Sequence, residues 1–132
     1  MIGLDTNVLV RYLAQDDPFQ SPLATSLIEE TLTKDQPGFI SLIALTEVVW
    51  VLESCYRTPK GVLVDILERI LAVKQFAVQD SDVVWHAVRA FKSGKADFAD
   101  CLIERGGKAA GCSCTTTFDK EASRRAGMRL LT

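Results

Sequence analysis

Short apolar runs, of the kind that form buried strands, recur along the chain. The first begins at Met1, and the runs are bounded by residues that favour turns, such as Gly, Pro, Asp and Lys. The threonine-rich stretch before Phe118 and the end of the chain continue the series. Together they predict five strands, over residues 1–4, 39–40, 76–78, 112–117 and 129–131.

Between these strands, apolar residues recur every three or four positions, which is the spacing of one face of a helix. Ser21-Pro22 is a good helix start, Pro18 ends the first helix, and Gly111 stands where a helix would end. The predicted helices cover residues 8–13, 22–33, 42–56, 59–73, 81–92, 98–110 and 120–126. Strands that alternate with helices predict a three-layer α/β/α domain around a mostly parallel sheet.

The composition fits one globular domain spanning residues 1–132. Apolar residues make up 48% of the chain and charged residues 24%, which is the balance of a folded protein rather than a disordered one. No apolar run approaches the ~18–20 residues of a membrane span, and no basic leader separates Met1 from the first strand. A cytoplasmic location is therefore expected.

The cysteine pattern argues against a structural zinc site. Cys112 and Cys114 are two residues apart on a predicted strand, so they face the same side and lack zinc-knuckle spacing. The chain has a single histidine, His86. We expect all four cysteines, which also include Cys55 and Cys101, to be reduced residues of the core.

Charge is distributed unevenly along the chain. The net charge is −2, but from Cys101 onward six basic residues face three acidic ones, a net +3 that leaves −5 on the rest. A basic region of this kind either contacts phosphates or is simply a solvated surface. Lys120 and Arg124 lie four apart on the predicted last helix and are the candidate pair for such phosphate contacts.

Asp5 and Glu47 are the first two acids of interest. Asp5 joins the first strand to a helix, so it lies where ligands gather in open α/β sheets, although capping that helix would also explain it. Glu47 lies within a strongly apolar helix. If it is buried, it must be paired, protonated or bound to a cation; alternatively, Glu47, Ser54 and Arg57 mark a wetted stripe.

Two further acidic segments follow later in the chain. Asp97 and Asp100 have the spacing of a helix cap and a first-turn acid. Stabilisation of the helix would therefore explain both residues without a catalytic role. Asp100 would equally point from that helix into a cleft. Asp119 follows the fourth predicted strand, either as a helix cap or beside the Thr117 hydroxyl at the sheet edge.

Considered together, the acids supply oxygen ligands from four separate elements. Clustered carboxylates resist full ionisation unless a cation neutralises them, and oxygen ligands select Mg²⁺ or Mn²⁺ over zinc. Such a site activates a water for attack on a phosphodiester. It requires neither a nucleophilic side chain nor a catalytic histidine.

These segments resemble the four motifs of PIN domains, and their order and spacing resemble those of VapC-type toxins of type II toxin–antitoxin pairs. The matching segments are Leu4-Asp5-Thr6-Asn7, Thr46-Glu47, Asp97-Phe98-Ala99-Asp100-Cys101-Leu102-Ile103 and Thr117-Phe118-Asp119. The resemblance spans essentially the whole chain. It implies a Mg²⁺- or Mn²⁺-dependent endoribonuclease with a five-stranded sheet, usually dimeric and inhibited by a cognate antitoxin.

Residue by residue, the resemblance implies a set of metal-binding acids. Asp5, Glu47 and Asp100 match the core ligands, and Asp119 matches a fourth, more variable acid. Thr6 and Thr117 match hydroxyl positions near the metal. Asp97 is an additional acid beside the matched one, and Asp100 is the one expected to bind.

Other functions remain to be weighed against this one. A catalytically silent PIN-like module would bind RNA or protein only, and a housekeeping RNA-processing nuclease would share the whole site. A phospho-acceptor domain needs an acidic pair after the first strand, and a haloacid-dehalogenase-like phosphatase needs Asp-x-Asp; Asp5-Thr6-Asn7 offers one acid. Trp50 and Trp85 are expected in the core or an interface rather than as base-stacking platforms.

Overall fold

The computed structural model describes all 132 residues. Helices and strands alternate along most of the chain, as the apolar spacing predicts. In chain order they are β1 (Ile2–Gly3), α1 (Thr6–Ala14), α2 (Gln20–Ser26) continued by a π-helical turn (Leu27–Thr31), β2 (Gly38–Ile40), α3 (Leu42–Ser54), α4 (Lys60–Ala72), β3 (Phe76–Val78), α5 (Ser81–Ser93), α6 (Phe98–Ala109), β4 (Thr116–Thr117), α7 (Lys120–Arg125) and β5 (Arg129–Leu130).

The chain forms two compact units, residues 1–79 and 80–132. In the first, β2 lies between β1 and β3, and both pairings are parallel. Ile40 of β2 is fully buried, as expected for the central strand of a covered sheet. A side chain at Gly38 would meet Leu4 and Leu32 within 2.7 Å, so the segments that follow β1 and the π-helical turn pack closely on this strand.

Side-chain and backbone hydrogen bonds define the start of α3 in the first unit. Ser41 caps α3, its hydroxyl accepting a hydrogen bond from Ala44 N at 3.1 Å. Gln79 joins the ends of two strands to the same helix: its backbone N–H donates to Ile40 O at 2.9 Å, and its side-chain oxygen accepts from Leu42 N at 2.9 Å. The start of α3 is therefore fixed by the ends of β2 and β3.

The second unit is built around α5 and α6. Phe91 and Phe98 pack edge-to-face with ring centroids 5.9 Å apart, and both are buried. The predicted end of α6 is confirmed, because Gly111 adopts φ +96°, a conformation that favours glycine. The pair β4 and β5 is parallel, with Thr117 opposite Leu130.

Two predictions, about strands and about cysteines, are wrong. The segment 112–117 is a strand only at Thr116–Thr117, because β5 pairs with these two residues alone. Consequently Cys112 and Cys114 are exposed, as is Cys55, and only Cys101 is in the core, although all four are free thiols. Asp80 precedes α5 but makes no side-chain capping bond.

The strands pair as a group of three and a group of two, rather than as the single five-stranded sheet that the resemblance implied. Each strand spans only two or three residues, so few backbone ladder bonds are available to join the groups. No helix has both the length and the apolar character needed to cross a lipid bilayer.

Candidate functional site

In the first unit, Asp5 occupies the junction between β1 and α1. It is the residue before the first turn of α1, and its Oδ1 accepts a hydrogen bond from Thr6 N at 2.8 Å. The expected capping role is therefore confirmed. The side chain is nonetheless exposed, and the capping bond uses Oδ1 only.

Glu47 is also exposed, so of the two alternatives the structure shows the solvent-exposed stripe rather than a buried carboxylate. It shares the outer face of α3 with Ile43 and Trp50, which are themselves exposed, and with Ser54. The apolar neighbours that suggested burial divide between the two faces of the helix. Trp50 is 63% exposed, which excludes a core position for it.

A hydroxyl lies between the two acids. Thr6 Oγ1 donates to Glu47 Oε1 at 3.4 Å, across 41 residues of sequence, while Thr6 N donates to Asp5 Oδ1. A single threonine therefore binds both carboxylates and holds α1 beside α3. The motif match placed Thr6 near the acids, and its contacts agree with that position.

Asp5, Thr6 and Glu47 line one cavity of about 640 Å³. This is within the size range of small-ligand sites. Its other walls come from α1, from the segment after α1 and from the end of α3: Asn7, Val10, Arg11, Asp16, Val51, Cys55 and Tyr56. The cavity therefore combines carboxylates with one cationic side chain.

Sequence reasoning missed a polar network in this cavity. The Tyr56 hydroxyl donates to Asp16 Oδ2 at 2.7 Å, and this bond raises the pKa of Tyr56. Arg11 Nη1 lies 3.7 Å from Asp16 Oδ1, and Arg11 Nε donates to Gln20 Oε1 at 2.7 Å. No short motif joins these residues, so only the folded chain reveals them.

In the second unit, Asp97 and Asp100 have different roles. Asp97 caps α6, its Oδ1 accepting from Asp100 N at 2.7 Å. Asp100 contributes its backbone N–H to that bond, so its carboxylate is free to point away from the first turn. This division supports Asp100, rather than Asp97, as the acid available to a ligand.

The surroundings of Asp100 disfavour the ionised form of its carboxylate. Burial raises its pKa, and the charges of Asp97 and Asp119 raise it further. Three carboxylates of this unit therefore interact, as the motif positions suggested. Protonation of Asp100 or binding of a cation would reduce the repulsion among these carboxylates.

Asp119 is also a helix cap. Its Oδ1 accepts from Glu121 N at 2.8 Å and from Ala122 N at 3.3 Å, which leaves Oδ2 outside the capping bonds. Thr117 Oγ1 accepts from Asp119 N at 3.0 Å. The hydroxyl expected beside the fourth acid is therefore used to fix the backbone of that acid.

The two cations expected to contact RNA differ in their surroundings. Lys120 is exposed on α7. Arg124 instead forms an ion pair with Glu121, which also pairs with Arg125 at 2.8 Å. Arg124 must therefore exchange one anion for another before it contacts a phosphate.

Glu104 and Arg105 form an ion pair that the sequence analysis did not predict. Glu104 is only 9% exposed, its Oε1 pairs with Arg105, and its Oε2 has no hydrogen-bond partner. The two residues are adjacent in sequence, so helix spacing gave no reason to expect a pair. A buried carboxylate of this kind is costly unless fully hydrogen-bonded.

The donor set fits a hard divalent cation in its chemistry. Every acid described offers carboxylate oxygens, the ligands that Mg²⁺ and Mn²⁺ take, and a cation would offset the repulsion acting on Asp100. No three His, Cys, Asp or Glu side chains are gathered into a ready coordination shell. The acids of each unit are therefore held near their neighbours by hydroxyls and caps rather than by mutual contact.

Comparison with known proteins gives one family. The sequence model of the PIN domain matches residues 2–128, which is nearly the whole chain. A relative described as "VapC ribonuclease", from Aquifex aeolicus (strain VF5), is 24% identical over 117 residues, covering 89% of this chain and 86% of that protein. Among solved structures, none matches the chain.

Proposed function

From the premise that this chain belongs to the PIN domain family, we propose that it is a divalent-metal-dependent endoribonuclease. The observation that carries the proposal is the cavity lined by Asp5, Thr6 and Glu47, in which one threonine holds two carboxylates, Asp5 through its backbone N–H and Glu47 through its hydroxyl. The relative described as a ribonuclease supports the same activity.

The proposed metal-binding acids are Asp5, Glu47 and Asp100, with Asp119 contributing directly or through water. When bound, Mg²⁺ or Mn²⁺ at such a site polarises a phosphodiester and lowers the pKa of a water. The exposed carboxylates of Asp5 and Glu47 are accessible to a cation without any rearrangement of the core. For Asp100, whose pKa is raised by burial and by the charges of Asp97 and Asp119, a bound cation would favour the ionised carboxylate.

The neighbouring side chains position these acids. Thr6 donates to Glu47 and fixes its rotamer, Asp97 holds the first turn of α6, and Thr117 holds the backbone of Asp119. Lys120 is the cation available to an RNA phosphate, whereas Arg124 is engaged by Glu121. Substrate binding therefore depends first on Lys120.

The biological role that we propose is that of the toxin in a toxin–antitoxin pair. The support is the family and the VapC relative, which aligns over most of both chains. This role implies an RNA substrate, a cognate antitoxin protein that blocks the site, a homodimer, and action in the cytoplasm. A housekeeping nuclease with the same chemistry would lack the antitoxin.

The test is cleavage of a pooled set of structured RNAs by the purified protein in Mg²⁺, Mn²⁺ or EDTA. Asp5→Asn and Asp100→Asn each remove a ligand charge and nearly keep the side-chain shape. We expect cleavage with metal only, reduced at least about 100-fold in both variants. Circular dichroism and thermal unfolding verify that the variants are folded.

Asp80→Asn is a matched control for these substitutions. Asp80 also stands before a helix but makes no capping bond, so the same chemical change there should leave cleavage unaffected. Cleavage in EDTA, or cleavage that is indifferent to Asp5 and Asp100, would overturn the proposal. RNA binding without cleavage would favour the silent module instead.

A further inference from the structure

Phe118 presents an aromatic ring to solvent beside one of the proposed metal-binding acids. It is 81% exposed and lies between Thr117 and Asp119, on the bend that links β4 to α7. Single exposed apolar residues are common on protein surfaces. Phe118 differs from such residues because it directly precedes Asp119, where the substrate of the proposed site would lie.

The backbone on both sides of Phe118 is fixed. On one side, Thr117 O accepts from Leu131 N at 2.8 Å, and Thr117 Oγ1 accepts from Asp119 N at 3.0 Å. On the other, Asp119 caps α7, and its carbonyl accepts from Ser123 N at 3.0 Å. The ring therefore extends from a rigid turn, which lowers the entropy that binding would cost.

An exposed cation lies close to Phe118 in sequence. Lys120 is two residues away and exposed, while the nearby acid Glu121 is paired with Arg124 and Arg125. A phenyl ring bordered by a lysine matches the alternation of flat base and charged phosphate in a single strand.

We propose that Phe118 is the base-stacking platform of the enzyme, on which a nucleobase of single-stranded RNA lies next to the phosphate to be cleaved. This inference rests on the proposed nuclease function. The phenyl ring has no hydrogen-bonding group, so it selects unpaired bases over paired ones without reading a particular base. Phe118 is a binding and specificity residue, with no part in proton transfer.

The test compares variants of Phe118 with variants of Phe19. Phe19 is also 81% exposed but lies in the other unit, before α2, and is no part of the proposed site. Steady-state cleavage of a single-stranded oligoribonucleotide is measured for Phe118→Ala, Phe118→Leu, Phe118→Tyr and Phe19→Ala. We expect Phe118→Ala to raise KM roughly 5- to 150-fold with a smaller change in kcat.

The conservative variants separate stacking from apolar contact. Phe118→Tyr retains a ring face and should keep nearly the wild-type KM, whereas Phe118→Leu retains apolar bulk without a ring and should behave like Phe118→Ala. Phe19→Ala should match the wild type. Binding of hexa-adenylate and hexa-uridylate to the Asp100→Asn protein, followed by anisotropy, gives the same ranking without turnover.

Specific outcomes would overturn the inference. Equal KM values for Phe118→Ala and Phe19→Ala, or full activity in Phe118→Leu, would exclude stacking while leaving the nuclease intact. If the leucine variant instead retains antitoxin binding that the alanine variant loses, the ring is an apolar protein contact. A wild-type protein that neither binds nor cleaves RNA would refute the proposed function and this inference together.

Discussion

The acids of the two units are held in different ways. In the first unit, Asp5 caps α1, and the exposed carboxylates of Asp5 and Glu47 share a cavity and are joined through Thr6, whose backbone N–H binds Asp5 and whose hydroxyl binds Glu47. In the second, Asp97 and Asp119 act as helix caps, and their charges fall on Asp100. The difference is that Thr6 donates hydrogen bonds to both acids of the first pair, whereas the charges of Asp97 and Asp119 repel the carboxylate of Asp100.

This contrast decides which substitutions are informative. An acid that caps a helix contributes to folding as well as to any site, so its removal mixes two effects. An exposed acid that does not cap a helix can be substituted with little effect on stability. Asn and Gln variants keep the caps and remove the charge, and therefore report on the site.

The largest effect is expected at Glu47. Glu47→Gln removes a proposed ligand charge, and cleavage should fall at least about 100-fold. Asp97→Asn keeps a good capping side chain and should cost less than about tenfold. Initial rates at saturating Mg²⁺ measure both, and a larger loss at Asp97 would reverse the assignment of ligand and cap.

Cation binding should stabilise the folded chain by a large amount. At a Mg²⁺ concentration 100 times its Kd, the free energy of unfolding rises by about 2.7 kcal/mol. Asp100→Asn should abolish most of this rise, since the repelled carboxylate gains most from the cation. Urea unfolding with Mg²⁺ or EDTA measures it, and equal stabilisation in both proteins would contradict the role of Asp100.

Two variants of Asp119 separate its contribution to stability from its contribution to cleavage. Asp119→Ala removes the acceptor of two backbone N–H groups and should lower the free energy of unfolding by about 1 kcal/mol. Asp119→Asn keeps an acceptor and should cost a few tenths of that value, while reducing cleavage as the alanine variant does. Thermal unfolding and initial rates are measured on the same samples.

The smallest effect expected is the pH dependence from Asp100. Its pKa is raised in the folded state, so the folded chain holds this proton more tightly, and stability falls as pH rises from the ordinary Asp pKa near ~4 towards the raised value. In EDTA at pH 7, Asp100→Asn should therefore be more stable than the wild type, by under about 1 kcal/mol because the group is partly exposed. The gain should vanish near pH 3, and urea midpoints at both pH values measure it.

Local signals in the sequence were sufficient for the helices and for the acids of the second unit. Asp97 and Asp100 are three residues apart, and a cap acts within one turn, so their roles are encoded without tertiary contacts. Cap and turn residues likewise gave most helix boundaries within two or three residues. The π-helical turn after Ser26 is an exception, because side-chain spacing alone does not distinguish it from an α-helix.

Features that depend on distant contacts were less predictable. The sequence left the burial of Glu47 open because α3 carries apolar residues on both faces, including the exposed Ile43 and Trp50. The strand at 112–117 was too long because its length is set by the two-residue partner β5. The contacts of Tyr56 with Asp16 span 40 residues, a distance at which no local pattern operates.

Gln79 has a consequence for how the first unit tolerates changes in length. Its backbone and side chain bind Ile40 and Leu42 at once, so it acts as a spacer whose position sets where α3 begins and hence where Glu47 lies. Extra residues can be accepted in the exposed turn around Lys34 and Asp35, which lies outside the strands. One residue inserted before Gln79 would displace its bonds to Ile40 and Leu42, so chain length here is as restricted as residue identity.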